Sequence, residues 1–177
     1  ADRRAGRRHA GDLRVDLLDY ASVERMYAEA GPLDAVIAAT GRAHFGPLAQ
    51  MAPAQFELGL KDKLMGQVHL VLAGQARLRE GGSFTLTTGI LAEEPIRGGT
   101  SATATNAALE GFVKAAATEL ARGLRINAVS PTVLAESMEA YGPYFPGFEP
   151  VPAARAALAY RRSVEGVQTG RVYRIWA

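Results

Sequence analysis

The chain has 177 residues, 48% of them hydrophobic and 21% charged, with a formal charge of +2. That balance is ordinary for a globular protein with a core of useful size, and so small a net charge argues against a nucleic-acid partner. The absence of cysteine excludes disulfides, thiolate catalysis and cysteine-based metal sites. His9, His44 and His69 are too scattered for metal-ligand spacing. No run approaches the roughly 20 apolar residues of a membrane span, and none follows the basic start as in a signal peptide. A cytoplasmic protein with no metal and no membrane partner is expected.

Four arginines open the chain, Arg3, Arg4, Arg7 and Arg8, either as a solvated terminus or as an anion site. Leu13–Val15, closed by Asp16, is the end of an extended segment. Ser22 is placed to cap a helix whose apolar face is Val23, Met26, Tyr27 and Ala30, stopped by Gly31 and Pro32. The apolar run from Leu33 to Ala39 predicts a strand buried on both faces, as in a parallel sheet. After a loop from Thr40 to Gln50, Pro53 starts a helix. It is expected to run to about Arg79 with a break near Gly59, with Leu60, Leu64, Val68, Val71, Leu72 and Gln75 on its buried side.

Gly81-Gly82 is expected to end that helix, and residues 83–87 form the next strand. A turn-rich loop (88–100) leads to a small-residue helix (101–122), whose alanines allow close packing, and Gly123 ends it. Arg125–Val129 is another strand, closed by Ser130-Pro131. An aromatic loop (141–152), a helix (153–164) and a last strand (171–175) complete the chain. Alternating strands and helices predict a single α/β domain, a doubly wound, Rossmann-like parallel sheet with helices on both faces. In such sheets ligands sit beyond the carboxyl ends of the strands.

Four segments carry a family resemblance. Residues 34–41, Asp-Ala-Val-Ile-Ala-Ala-Thr-Gly, resemble strand four of the short-chain dehydrogenase/reductase family. Residues 82–89, Gly-Ser-Phe-Thr-Leu-Thr-Thr-Gly, resemble its strand five, which ends in a catalytic Ser. Ala107-Ala108-Leu109-Glu110-Gly111-Phe112 is similar to the helix after the active-site Lys. Arg125-Ile126-Asn127-Ala128-Val129-Ser130-Pro131 resembles strand six and the turn beside the nicotinamide. The resemblance runs from about Gly6 to the C-terminus and implies an NAD(P)-dependent oxidoreductase acting on a small carbonyl or alcohol, assembled as a homodimer or homotetramer.

In that family a Tyr transfers the substrate proton, and a Lys four positions later lowers its pKa and binds the ribose. The helix register puts Ala102 at the Tyr position and Asn106 at the Lys position, and no Tyr-x-x-x-Lys occurs in the chain. Thr88 falls at the Ser position and Lys63 at that of a helix-four Asn. These two are the candidate catalytic residues. For Lys63 the alternative is a surface lysine with a snorkelling stem. For Thr88 it is a hydroxyl bonded to backbone, and for Asn106 a polar contact on the helix face. Tyr141 or Tyr144 offers a replacement proton donor, or packs as a loop aromatic.

The resemblance also implies cofactor contacts. Arg7 and Arg8 fall where an arginine grips the adenosine 2′-phosphate, which favours NADP over NAD. Asp16 matches the adenine-ring Asp. Ala39 and Gly41 lie at the strand-four tip, Asn106 faces the ribose, and Pro131 lies beside the nicotinamide. No Gly-rich phosphate turn occurs. Counting back, the first strand, its turn and its helix are expected to precede Ala1; otherwise the fold is rearranged or completed by a partner. The non-enzymatic alternatives are an NADP-binding or redox-sensing protein and a scaffold that has lost its cofactor.

Overall fold

In the computed structural model, which describes residues 5–6 and 12–176, four parallel strands form the central sheet. They are β3 (Leu33–Ile37), β4 (Leu78–Thr87), β5 (Arg125–Pro131) and β6 (Val172–Ile175), side by side in that order. A separate parallel pair is made by β1 (Ala5–Gly6) and β2 (Leu13–Arg14). Among the described residues no ladder joins the pair to β3. Ile37 on β3 is 52% exposed, so β3 is not buried on both faces as its apolar run predicts.

Alternation along the strands sorts two unlike faces. Phe84 and Leu86 of β4 and Ile126 and Ala128 of β5 are fully buried. They share a core with Val23 and Tyr27 of α1 (Tyr20–Ala30), Leu70 and Val71 of α3 (Gly66–Gly74), and Leu109 and Val113 of α4 (Thr100–Glu119). The other face meets α6 (Ala153–Glu165) through polar groups. Thr85 and Ser163 hydroxyls lie 2.7 Å apart, Asn127 Nδ2 donates to Ser163 Oγ at 3.1 Å, and Tyr160 and Thr87 hydroxyls are 2.6 Å apart. Helices cover both faces of a parallel sheet, the doubly wound architecture expected.

The long second helix is three pieces: α2 (Pro53–Gly59), a π-helical turn (Leu60–Met65) and α3. Pro53 opens it as expected, and Gln55 Oε1 accepts the Ala52 amide at 2.8 Å. It stops at Gly74, not Arg79, because residues 78–82 are drawn into β4, whose pairing with β3 shifts register there. Of the residues expected on its buried side, Val71 is buried, Leu60, Leu64 and Val68 are partly buried, and Leu72 and Gln75 are exposed; Gln67 and Leu70 join Val71 on that side. At the start of α1, Asp19 is the cap, accepting from Ala21 N at 3.0 Å. Ser22 turns back to accept the Asp16 amide at 2.9 Å.

Candidate active site

A cavity of 470 Å³ opens at the carboxyl ends of β3, β4 and β5. Its wall contains Gly41 beyond β3, Thr88 and Gly89 beyond β4, and Pro131 and Thr132 at the end of β5. Lys63 enters from the π-helical turn and Ala102 and Asn106 from α4. Five of the sequence-derived site residues thus share one cavity: Gly41, Lys63, Thr88, Asn106 and Pro131. Asp16 and Ala39 are exposed and lie outside its wall; Asp16 Oδ1 instead accepts the Leu18 amide at 3.1 Å. Arg7 and Arg8 lie outside the described residues.

Lys63 is not a surface lysine. The residue is half-buried, its Nζ donates to Asn106 Oδ1 at 2.7 Å and to the Thr88 carbonyl at 3.0 Å, and desolvation lowers its pKa to about 8. A π-helical turn widens the backbone by one residue per turn and is a frequent companion of functional sites. Here it carries the ammonium inward. Two contacts set its position. Asp62 Oδ1 accepts the Arg42 amide at 2.8 Å, and Asp62 Oδ2 accepts Arg42 Nη2 at 2.9 Å, which ties the turn to the loop after β3. At Gly41, with φ of +114°, an added Cβ would come within 2.6 Å of the Lys63 backbone. Only glycine suits that conformation and that approach.

Thr88 is 3% exposed, and its hydroxyl donates to Glu110 Oε1 at 3.2 Å, so it faces the cavity through its carbonyl. Glu110 of α4, itself buried, has its carboxyl pKa raised by desolvation, the Thr88 hydrogen bond opposing the shift. Asn106 spends its carbonyl oxygen on Lys63, and its Nδ2 would lie 3.2 Å from a Cβ built on Gly89. Ala102, at the expected Tyr position, is a buried methyl in the wall. Tyr141 lines the cavity and packs edge-on against Phe45; Tyr144 packs against the same ring without reaching the wall.

Gln67 and Glu110 were not singled out by sequence reasoning. Gln67 is fully buried, accepts the Thr87 amide at 2.9 Å, and donates to the carbonyls of Thr87 at 3.0 Å and Thr40 at 3.2 Å. It clamps the β3 and β4 tips together under the site. A glutamine in the apolar run Leu64–Val71 is the signal that marks it, since a buried amide needs partners.

Among the described residues there is no His/Cys/Asp/Glu group able to hold a metal ion, and no helix is long and apolar enough to cross a membrane. Residues 3–173 match the family model described as Enoyl-(Acyl carrier protein) reductase. Among solved structures, the protein lin1944 from Listeria innocua is 48% identical, with 97% of this chain and 86% of that chain covered and a TM-score of 0.94. A small-chain dehydrogenase in complex with NADPH is 27% identical over 91% of this chain and 80% of its own, with a TM-score of 0.83. A further small-chain dehydrogenase is 27% identical over 96% and 86%, with a TM-score of 0.80. No curated protein matches. The fold, the cavity at the strand tips and the match over nearly all of the chain agree: this chain belongs to the short-chain dehydrogenase/reductase family of oxidoreductases.

Proposed function

We propose that the protein is an NADP(H)-dependent oxidoreductase of a small carbonyl or alcohol in which Lys63 supplies the charge and the proton of the family's Tyr–Lys pair. The observation that carries this reading is Lys63 Nζ, held at 2.7 and 3.0 Å by Asn106 and Thr88 at the cavity wall.

The cavity fits a nicotinamide nucleotide in two respects. It lies at the carboxyl ends of parallel strands, where such sheets take their ligands. Thr132 Oγ1 is buried in its wall with no partner among the described residues, a hydrogen-bonding group left over for a ligand. Gly41, Asn106 and Pro131 would hold the ribose and nicotinamide, with Asp16 and Ala39 toward the adenine. Arg7 and Arg8 would grip a 2′-phosphate and favour NADP over NAD. When bound, the reduced nicotinamide supplies a hydride, which with one proton converts C=O to CH–OH and leaves the nicotinamide oxidised.

The chain's own residues do the rest. Two of the three N–H groups of Lys63 are engaged, and the third is available to the substrate oxygen. Charge growing on that oxygen is stabilised by the fixed ammonium, which then gives up a proton. A pKa of about 8 suits transfer in either direction near neutral pH. The Asn106 and Thr88 acceptors aim the ammonium, and the Thr88 hydroxyl holds Glu110. Tyr141, 44% exposed at the cavity edge, is the alternative donor of the substrate proton. A homodimer or homotetramer in the cytoplasm is the expected setting.

Ala102 favours a second reading, an NADP-binding sensor without turnover. Calorimetry with NADPH and NADH, followed by an absorbance assay over a carbonyl panel, separates the two. NADPH binding with Lys63-dependent turnover is the expected result. Binding without turnover would favour the sensor, and no binding would remove both. Phe at positions 141 and 144 together, with turnover unchanged, would end the role of Tyr141.

A further inference from the structure

The charge balance of the cavity narrows the ligand. Among the described residues its wall contains no Asp and no Glu. Of the two cations among its described residues, the Arg42 guanidinium is spent on Asp62, at 2.9 and 3.2 Å. The Lys63 ammonium has only the Thr88 carbonyl and the Asn106 amide oxygen, both neutral, and among the described residues no carboxylate pairs with it. Glu110 is bound by the Thr88 hydroxyl and not by Lys63. A cation withdrawn from water in this way is only partly compensated by neutral dipoles. A ligand that brought its own negative charge would complete the pair.

The remainder of the wall is of another kind. Leu58, Ile90, Leu91, Val133, Leu134 and Phe145 make it largely apolar, and the small side chain of Ala102 leaves it open. One uncompensated ammonium on an apolar wall selects a molecule with a hydrocarbon body and a single anionic head. The Thr132 hydroxyl, without a partner among the described residues, offers that molecule, or the cofactor beside it, one further hydrogen bond.

We propose that this site takes an apolar oxo acid, or the corresponding hydroxy acid, whose carboxylate and adjacent reacting oxygen share the remaining N–H of Lys63, with its hydrocarbon part on the apolar wall. The oxo group rests on the oxidoreductase reading. The carboxylate rests on the cavity itself.

Binding calorimetry on the full chain, with and without NADPH, tests the pairing. The probes are phenylpyruvate and phenylacetone, which share a benzyl ketone and differ in carboxylate against methyl. At about pH 7, phenylpyruvate is expected to bind about tenfold more tightly or better, the equivalent of one charge-assisted hydrogen bond. That preference is expected to vanish in Lys63→Met. In the unaltered protein it is expected to shrink at about pH 9.5, where a Lys63 with a pKa of about 8 has lost its charge. Similar binding of the two probes at neutral pH, binding of neither, or a preference that survives in Lys63→Met would overturn the proposal. A carboxylate preference without NADPH consumption would uphold the acid site and remove the oxidoreductase reading, so the two fail separately.

Discussion

Desolvation brings the Lys63 pKa from 10.5 to about 8, so the folded chain holds this proton less firmly than the unfolded chain does. Between about pH 8 and pH 10.5 the unfolded state binds more protons, and stability therefore rises with pH across that window. Below it, the fold carries a charge it has removed from water. Lys63→Met is expected to raise stability at about pH 7 by roughly 1–3 kcal/mol, as replacement of buried charge by an apolar side chain often does. The gain shrinks as pH rises from about 8 through about 10.5, above which the lysine is neutral in both states. Turnover is expected to fall at least ~100-fold, the scale of a lost general acid. Thermal denaturation at two pH values, with NADPH consumption, reads all three effects. A melting temperature lower than that of the native chain would contradict them.

The same protonation sets the rate profile: turnover that needs charged Lys63 declines as pH rises through about 8. At the scale of single residues, Lys63, Thr88 and Asn106 were legible because motif register assigned each a place around one cavity. The direction of the Thr88 hydroxyl was not, because its partner Glu110 lies on α4, 22 positions away. Only packing brings them together.

The elements around the site act by holding backbone in place. The turn at 60–65 is fixed by the Asp62–Arg42 pair and by the absence of a side chain at Gly41. Gly41→Ala is expected to destabilise the protein by about 1–3 kcal/mol, from a Cβ in left-handed backbone and from its collision with Lys63. It is also expected to lower turnover, because the collision moves the ammonium. Gln67→Leu should act differently. It leaves the Thr87 amide and two carbonyls without side-chain partners, at about 1–3 kcal/mol, while sparing the cavity wall. Chemical denaturation compared with turnover distinguishes them: Gly41→Ala should lose far more activity than Gln67→Leu at comparable stability loss. Equal activity losses would refute the distinction. The break near Gly59 was legible from glycine within a helical run. The end of that helix was not, because Gly81-Gly82 lies inside β4, in the stretch where its pairing with β3 shifts register, and strand pairing overrode the helical pattern of residues 75–79.

For the whole molecule, alternation of strands and helices was enough to foresee a parallel sheet, since only crossovers connect strands that run the same way. It was not enough to foresee that the two faces differ. The β4 segment Phe84-Thr85-Leu86-Thr87 shows apolar and hydroxyl residues in turn, yet every one of them is largely withdrawn from solvent. The hydroxyl side is covered by α6, where Ser163 is the common partner of Thr85 and Asn127. Deleting it should therefore expose a network, not a single bond. Ser163→Ala is expected to cost about 1–3 kcal/mol, because Thr85 Oγ1 and one Asn127 hydrogen are left buried and unpaired. Thr85→Val alone should also destabilise, by leaving Ser163 with Asn127 only. Combining the two removes both hydroxyls of the 2.7 Å contact, so the double variant should lose less than the sum of the single losses, by about 0.5–3 kcal/mol of coupling. Urea denaturation of the four proteins in the cycle measures this. Additive losses would show that the contact is incidental and that α6 is held by its apolar residues alone.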